Sequence, residues 1–141
     1  MSLPDFPPRF DTDLVRPFWE ALRRGELQLP ACSRCGAWQW YPYDFVRCHP
    51  EATLVWRNVP TVGTVFSFTT VTRNFLPGSS AVPYVSALVE LEGVIGPRIA
   101  TVLDVGERKP RIGMRVCLKP TPRSDYVAPV FEPVGRKAGS G

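Results

Sequence analysis

The stretch that decides the fold is Tyr84-Val-Ser-Ala-Leu-Val-Glu-Leu-Glu92, in the second half of the chain. Its apolar and polar residues alternate with the two-residue period of a β-strand. One face would carry Val85, Ala87, Val89 and Leu91, and the opposite face Ser86, Glu90 and Glu92. The stretch therefore predicts a strand in a sheet that is covered on one face.

Further short strands are predicted on both sides of this one. Residues 62–72 are rich in Val, Phe and Thr, which favour strands. Glycine turns separate the segments, and the 16 prolines of this 141-residue chain disfavour long helices. Five or six short strands with such turns predict a small closed or sandwich sheet. The remaining predicted strands are 55–58, 98–103, 115–119 and 130–132.

The N-terminal segment predicts an extended arm followed by one short helix over residues 17–24. Pro17 suits the first helical position, and Gly25 is a good C-terminal stop. The helix carries large apolar side chains that either pack on the chain's own domain or form a docking surface for another subunit. The predicted partner-docking residues are Phe18, Trp19 and Leu22.

Between the helix and the sheet lies a cysteine-containing module, which includes Cys32-Ser-Arg-Cys35-Gly36. The two-residue gap lets one turn present both sulfurs to a single metal ion, and Cys48 follows after twelve further residues. A complete zinc ribbon would have its fourth cysteine at position 51, where this chain has Glu51. The spacing predicts a zinc-ribbon-like module that either binds zinc or is degenerate.

Three alternatives stay open for the fourth ligand. Glu51 or His49 could complete the site, and Glu51 is preferred because His49 directly follows Cys48 and would have to fold back. Cys117 could close the site from the β domain, although a lone buried cysteine is usually a small hydrophobe. The metal could also be lost, with the module held by packing. The predicted ligand set is Cys32, Cys35, Cys48 and Glu51, around a structural rather than a catalytic zinc.

No motif for a reaction centre is present. The chain has no glycine-rich phosphate loop and no Gly-x-Ser-x-Gly elbow, and His49 is its one histidine. We therefore predict no catalytic residues and a protein that is not an enzyme. No apolar run reaches the roughly 20 residues of a membrane span, and the N-terminus lacks the features of a signal peptide. A cytoplasmic protein without a membrane partner is expected, with its cysteines as thiols or metal ligands.

The net charge of +4 lies in the second half, where ten Lys or Arg face six Asp or Glu after position 60. This excess could attract nucleic acid or a polyanion such as coenzyme A, or could be a solvated basic surface. The segment Arg73–Pro83 is long for a connection between strands, and such loops often carry binding. A hairpin tip that tucks onto the sheet is the alternative. The predicted ligand-binding residues are Arg73, Phe75 and Arg98.

Dispersed motifs in a fixed order resemble the DUF35 family over residues 14–133. They are Pro17-Phe18-Trp19-Glu20, Gly25-Glu-Leu27, Cys32-x-x-Cys35-Gly36, Gly63-Thr-Val65-Phe-Ser-Phe68-Thr69, Pro83-Tyr84-Val85, Ile112-Gly113-Met-Arg-Val116 and Pro129-Val-Phe131-Glu-Pro133. The resemblance implies a mainly β protein with an N-terminal helical arm, a rubredoxin-like zinc ribbon and a C-terminal OB-fold barrel. The expected domains are 1–26, 27–54 and 55–134, with a disordered tail at 135–141.

The resemblance also implies a role beside acyl-CoA metabolism. Family members accompany thiolase-like enzymes, including the aldolases of steroid side-chain degradation. The expected function is a non-catalytic auxiliary subunit that docks on a thiolase-like enzyme and helps bind or orient an acyl-CoA, in steroid or fatty-acid degradation. The alternative is a zinc-ribbon/OB module that binds single-stranded nucleic acid by stacking bases on aromatic side chains. An iron redox ribbon is a third hypothesis, weakened because Glu51 replaces the fourth sulfur.

Overall fold

The computed structural model describes residues 12–73, 82–123 and 125–135, and these form one short helix and seven strands. The predicted mainly β fold is confirmed. In chain order the elements are α1 (Arg16–Arg23), β1 (Leu27–Cys32), β2 (Leu54–Val59), β3 (Val62–Val71), β4 (Tyr84–Leu91), β5 (Ile99–Leu103), β6 (Arg115–Pro122) and β7 (Val127–Pro133).

Helix α1 begins and ends within one residue of the prediction. Proline occupies its first turn, where no intrahelical donor is needed. At its end the N–H groups of Arg24 and Glu26 both donate to the Ala21 carbonyl, and Gly25 adopts a φ of 76°. Such a left-handed residue reverses the chain toward β1 with little strain. In the described part of the chain no helix is long and apolar enough to cross a membrane.

The helix face predicted to dock a partner is covered by the chain itself. Phe18 and Leu22 are 2% and 1% exposed and belong to the hydrophobic core, in which α1 lies against β1 and β7. The Phe18 ring also lies 4.8 Å from the Trp40 ring. Burial of these side chains stabilises the fold. Because they are buried within the chain, another subunit cannot contact them directly. Of the three predicted docking residues, Trp19 alone is partly exposed.

Strand β2 differs from the expectation that it would begin the β domain. It pairs antiparallel with β1 over its whole length, from Leu27 opposite Val59 to Cys32 opposite Leu54. The resulting two-stranded sheet is separate from the barrel. Alternation along a strand shows which face is covered, but it does not show which strand is the neighbour.

The five remaining strands close into a barrel in the order β3-β4-β5-β7-β6, with β6 returning to β3. All pairs are antiparallel except β5 with β7, where Leu103 lies opposite Phe131. The inward face of β4 is the apolar one that its alternation predicts. This order, with one parallel pair closing the seam, is that of an OB-fold barrel.

Gly63 occupies the point where β3 is hydrogen-bonded on both sides. It lies opposite Leu91 of β4 and opposite Val116 of β6. A Cβ atom placed on Gly63 would come 2.2 Å from the carbonyl oxygen of Glu90. No side chain fits at that distance, so the close approach of β3 and β4 requires glycine here.

Candidate metal centre and ligand cleft

Within the described residues, four metal-ligating side chains come together beside the two-stranded sheet: Cys32, Cys35, Cys48 and His49. Cys32 is the last residue of β1 and its side chain is buried. The turn after it is closed by the N–H of Cys32 donating to Ala37 and that of Gly36 donating to Cys32. Gly36 has a φ of 78°, which a side chain would disfavour.

Gln39 holds the second half of the module, and the sequence analysis missed it. Its side chain is 8% exposed, donates to the carbonyl of Phe45 and accepts from the N–H of Arg47, both at 2.9 Å. Its own N–H donates to Pro30 of β1. These bonds fix the loop that delivers Cys48 to the other sulfurs. The one signal for a structural role of Gln39 was its position between Trp38 and Trp40. Periodicity alone does not show whether such a polar residue is buried or exposed.

The ligand atoms of the four residues all lie within 4.8 Å of one another. Sγ of Cys35 is 3.4 Å from Sγ of Cys48, and Sγ of Cys32 is 3.5 Å from Nδ1 of His49. With bonds of about 2.3 Å to sulfur and about 2.0 Å to nitrogen, tetrahedral zinc ligands lie roughly 3.5–3.8 Å apart. The donor set therefore fits the zinc that the ribbon implies, and its atoms lie close enough together to hold one ion.

The structure groups His49, and not Glu51, with the three sulfurs. The carboxylate of Glu51 is exposed and accepts a hydrogen bond from the guanidinium of Arg34. The objection that His49 would have to fold back fails because Nδ1 is the ring nitrogen nearest the backbone. Cys117, the other alternative, lies in β6 opposite Val62 and Glu132, outside the cluster. Burial raises the pKa of its thiol, as expected for a half-buried, apolar role.

Two thiols of the cluster, those of Cys32 and Cys48, have displaced pKa values. Burial raises the pKa of Cys32, but the backbone N–H groups of Cys35 and Arg34 donate to its sulfur and bring the pKa down to about 6. The Cys35 side chain, together with burial and the Cys32 sulfur, raises the pKa of Cys48 to about 11. Negative charge on the neighbouring sulfurs therefore disfavours the thiolate form of Cys48. A divalent cation among them would remove that repulsion and favour the thiolates that bind metal.

A cleft of about 280 Å³ opens between the helix and the barrel. Its walls are mostly apolar, and the lining residues that carry polar groups include Arg123, Tyr84 and Tyr126. The ring of Trp19 lies edge-on to that of Tyr126, with centroids 6.0 Å apart. The residues that line it include Trp19, Tyr84, Ala100, Val102, Arg123 and Tyr126. An apolar cleft with few polar groups is the usual form of a small-molecule site.

Two of the three predicted ligand-binding residues, Arg73 and Arg98, do not line this cleft. Arg73 is exposed after β3, and Phe75 lies outside the described residues. Arg98 is occupied by neighbours on the barrel surface: its guanidinium lies 3.7 Å from the centroid of the Phe66 ring, and its Nε donates to Glu90 at 3.0 Å. These contacts hold Arg98 flat against β3 and β4.

Three aromatic side chains of the loop before Cys48 are exposed, and we call them the aromatic patch: Tyr41, Tyr43 and Phe45. They are 52%, 46% and 53% exposed, and the rings of Tyr43 and Phe45 stack at 5.7 Å. A groove of about 440 Å³ runs beside them, between the ribbon and the β4–β5 turn at Gly96 and Pro97. Exposed aromatic groups in such numbers are typical of a protein interface.

The fold and cluster define the class of this protein: a Cys/His cluster compatible with a zinc ribbon, joined to an OB-fold barrel. Residues 56–119 match the family model of the C-terminal OB-fold domain of ChsH2. The solved structure described as "Ltp2-ChsH2(DUF35) aldolase" superposes with a TM-score of 0.78 at 26% identity, covering 90% of this chain and 98% of that one. The family model and this solved structure support the resemblance to the DUF35 family that the motifs predicted.

A second solved structure shows the same fold at greater distance. It is a DUF35 protein of unknown function from Sulfolobus solfataricus, with a TM-score of 0.61 at 12% identity, covering 89% of this chain and 88% of that one. No curated protein sequence matches the chain.

Proposed function

We propose that this chain is a non-catalytic subunit that docks on a thiolase-like enzyme and helps to bind or orient an acyl-CoA. The likeness to the Ltp2-ChsH2(DUF35) aldolase chain carries this proposal, because it extends over 90% of this chain and 98% of that chain. A DUF35 chain of an aldolase that also contains Ltp2 is a precedent for an auxiliary role. Steroid or fatty-acid degradation is the metabolic setting that the family implies.

The aromatic patch is the surface on which the partner enzyme would dock. Burying rings of this size makes the large contribution that interface hot spots provide. Arg47, which lines the adjoining groove, adds a guanidinium of the kind enriched in interfaces. The buried helix residue Phe18 supports the loop that carries the patch, because its ring packs on that of Trp40.

Changing Tyr43 and Phe45 together to alanine should weaken docking by at least about 100-fold, since two hot-spot residues of about 2 kcal/mol or more would be lost. The measurement is the dissociation constant of this chain for a thiolase-like enzyme of the same organism, by calorimetry or interferometry. Ile112→Ala is the matched control, because Ile112 is 70% exposed but does not line the groove. Equal affinity of the double variant and the wild type would place docking elsewhere.

The cleft beside Trp19 is the place where an acyl-CoA would contact this subunit. Its apolar walls suit an acyl or pantetheine arm, and Arg123 supplies a cation for an anionic group. Arg73, Phe75 and Arg98 stay proposed as additional contacts with the acyl-CoA. The basic excess of the second half favours approach of the polyanionic coenzyme.

Filling this cleft should lower acyl-CoA affinity without unfolding the chain. In Ala100→Trp an indole would enter from an exposed position on β5, and we expect at least about tenfold weaker binding of acetyl-CoA and palmitoyl-CoA to the assembled complex. Thr70→Trp places the same ring on an exposed position of β3 and should leave binding unchanged. Loss of affinity in both variants, or in neither, would contradict the assignment of the cleft.

A further inference from the structure

We infer that the fourth metal ligand of the ribbon is Nδ1 of His49, so that this chain holds its cation with three sulfurs and one nitrogen. The family pattern points instead to position 51, where a four-sulfur ribbon has its last cysteine. The cation class is one that prefers tetrahedral sulfur and nitrogen ligands, with zinc as its usual member. This inference concerns the isolated chain and stands independently of docking and of acyl-CoA binding.

The backbone around the second knuckle delivers the imidazole. The N–H of Ala52 donates to the carbonyl of His49 at 2.8 Å, which closes a turn over residues 49–52. That turn is tied to the first knuckle, because the N–H of Ser33 donates to Thr53 and the N–H of Thr53 donates to Oγ of Ser33. With both knuckles joined in this way, Nδ1 reaches to 3.5 Å from the sulfur of Cys32.

The same turn carries Glu51 away from the sulfurs and onto Arg34. Both side chains of that ion pair are more than half exposed, at 63% for Arg34 and 61% for Glu51, so the pair lies at the rim. Arg34 is itself part of the first knuckle, and its N–H donates to the sulfur of Cys32 at 3.3 Å. The guanidinium of Arg34 thus binds the Glu51 carboxylate and competes with a metal ion for it.

Charge also favours the histidine set. Three thiolates and one divalent cation sum to −1 with a neutral imidazole, whereas a carboxylate in its place would make the sum −2. Excess charge in a partly buried site is costly unless it is compensated, and the nearby Arg34 is already paired with Glu51. Four protein ligands fill a tetrahedral shell and leave no position for a reacting water, which gives the cation a structural role.

The test uses the full-length chain, freed of metal under reducing conditions and titrated with Co²⁺. We expect one Co²⁺ per chain, with intense visible bands of a tetrahedral centre and sulfur-to-metal charge-transfer bands in the near ultraviolet, and displacement by Zn²⁺. His49→Ala should lower the affinity for Zn²⁺ by at least about 100-fold, measured in competition with a chromophoric chelator. Loss of a residue that only hydrogen-bonds to a metal ligand already lowers metal affinity by about 10–100-fold. Glu51→Gln should leave the affinity unchanged within about threefold, because that side chain lies outside the shell.

Two further measurements keep the inference testable if His49→Ala folds poorly. His49→Cys should restore Zn²⁺ binding and increase the sulfur-to-Co²⁺ charge-transfer intensity, as expected for a fourth thiolate. In the wild type, ¹⁵N chemical shifts of the imidazole should show a proton on Nε2 and metal on Nδ1. The inference is overturned if Glu51→Gln loses the metal while His49→Ala retains it, or if the wild-type chain takes up no Co²⁺.

Discussion

Changing Gly63 to alanine should lower the free energy of unfolding by about 3 kcal/mol. The new methyl group would lie 2.2 Å from the carbonyl oxygen of Glu90, a backbone atom in a paired strand that has no rotamer by which to move aside. Overpacking usually costs about 1–3 kcal/mol, and a clash with backbone on a doubly paired strand belongs at the upper end. The measurement is urea denaturation followed by circular dichroism.

Gly93→Ala is the control that separates this clash from a general effect of losing glycine. Gly93 lies in the turn after β4 with a φ of 74°, and nothing lies within 4 Å of a Cβ atom placed there. Its substitution should cost about 1–2 kcal/mol, the strain of a left-handed alanine. If Gly63→Ala is no more destabilising than Gly93→Ala, β3 and β4 do not approach as closely as the fold requires.

Truncating Phe131 to alanine should destabilise the chain by about 3–5 kcal/mol, the usual cost for a buried phenylalanine. Its side chain is fully buried at the seam that closes the barrel, where β7 lies between β5 and β6. Phe131 is opposite Leu103 on one side and Leu118 on the other, and its carbonyl accepts from the N–H of Asp104. The cavity would open at the one parallel pairing, which depends most on packing.

Two matched variants define this effect. Phe131→Leu keeps most of the volume and should cost less than about 1.5 kcal/mol. Phe45→Ala removes an equal ring from an exposed position and should change stability by less than about 0.5 kcal/mol. A similar loss of unfolding free energy in Phe131→Ala and in Phe45→Ala would show that packing at the seam contributes no more to stability than an exposed ring does.

Local signals in the sequence predicted the elements well. The proline–glycine pair around α1 marked both ends of the helix, and the alternation over residues 84–92 identified β4 and its buried face. In each case the residues that determine the conformation lie within the element itself. The pairing of β2 with β1 was not predictable in this way, because the two strands are joined through the whole cysteine-containing loop.

The metal site was predictable in its sulfurs but not in its fourth ligand. The spacing of Cys32 and Cys35 is a local property, whereas the choice between His49 and Glu51 depends on a turn and on the competing charge of Arg34. Gln39 was missed for the same reason, since its partners lie six and eight residues away. Sites assembled from several turns are fixed by tertiary hydrogen bonds that no periodicity reveals.

The cleft was not predictable because distant elements form it. Trp19 of α1 and Tyr126, which precedes β7, contribute facing rings although more than a hundred residues separate them. The sequence analysis instead predicted Arg98 as a ligand-binding residue, but its guanidinium lies on the Phe66 ring and donates to Glu90. Charged residues are conspicuous in a sequence, while apolar clefts become visible only when the fold is known.

The role as an auxiliary subunit is tested most directly by co-expressing this chain with the thiolase-like enzymes of the same organism, one at a time, and measuring the mass of each purified assembly by light scattering. The proposal predicts a single species that contains both chains, and an enzyme that loses activity or solubility when this chain is left out. Two separate species, with an enzyme that is fully active and soluble alone, would contradict it.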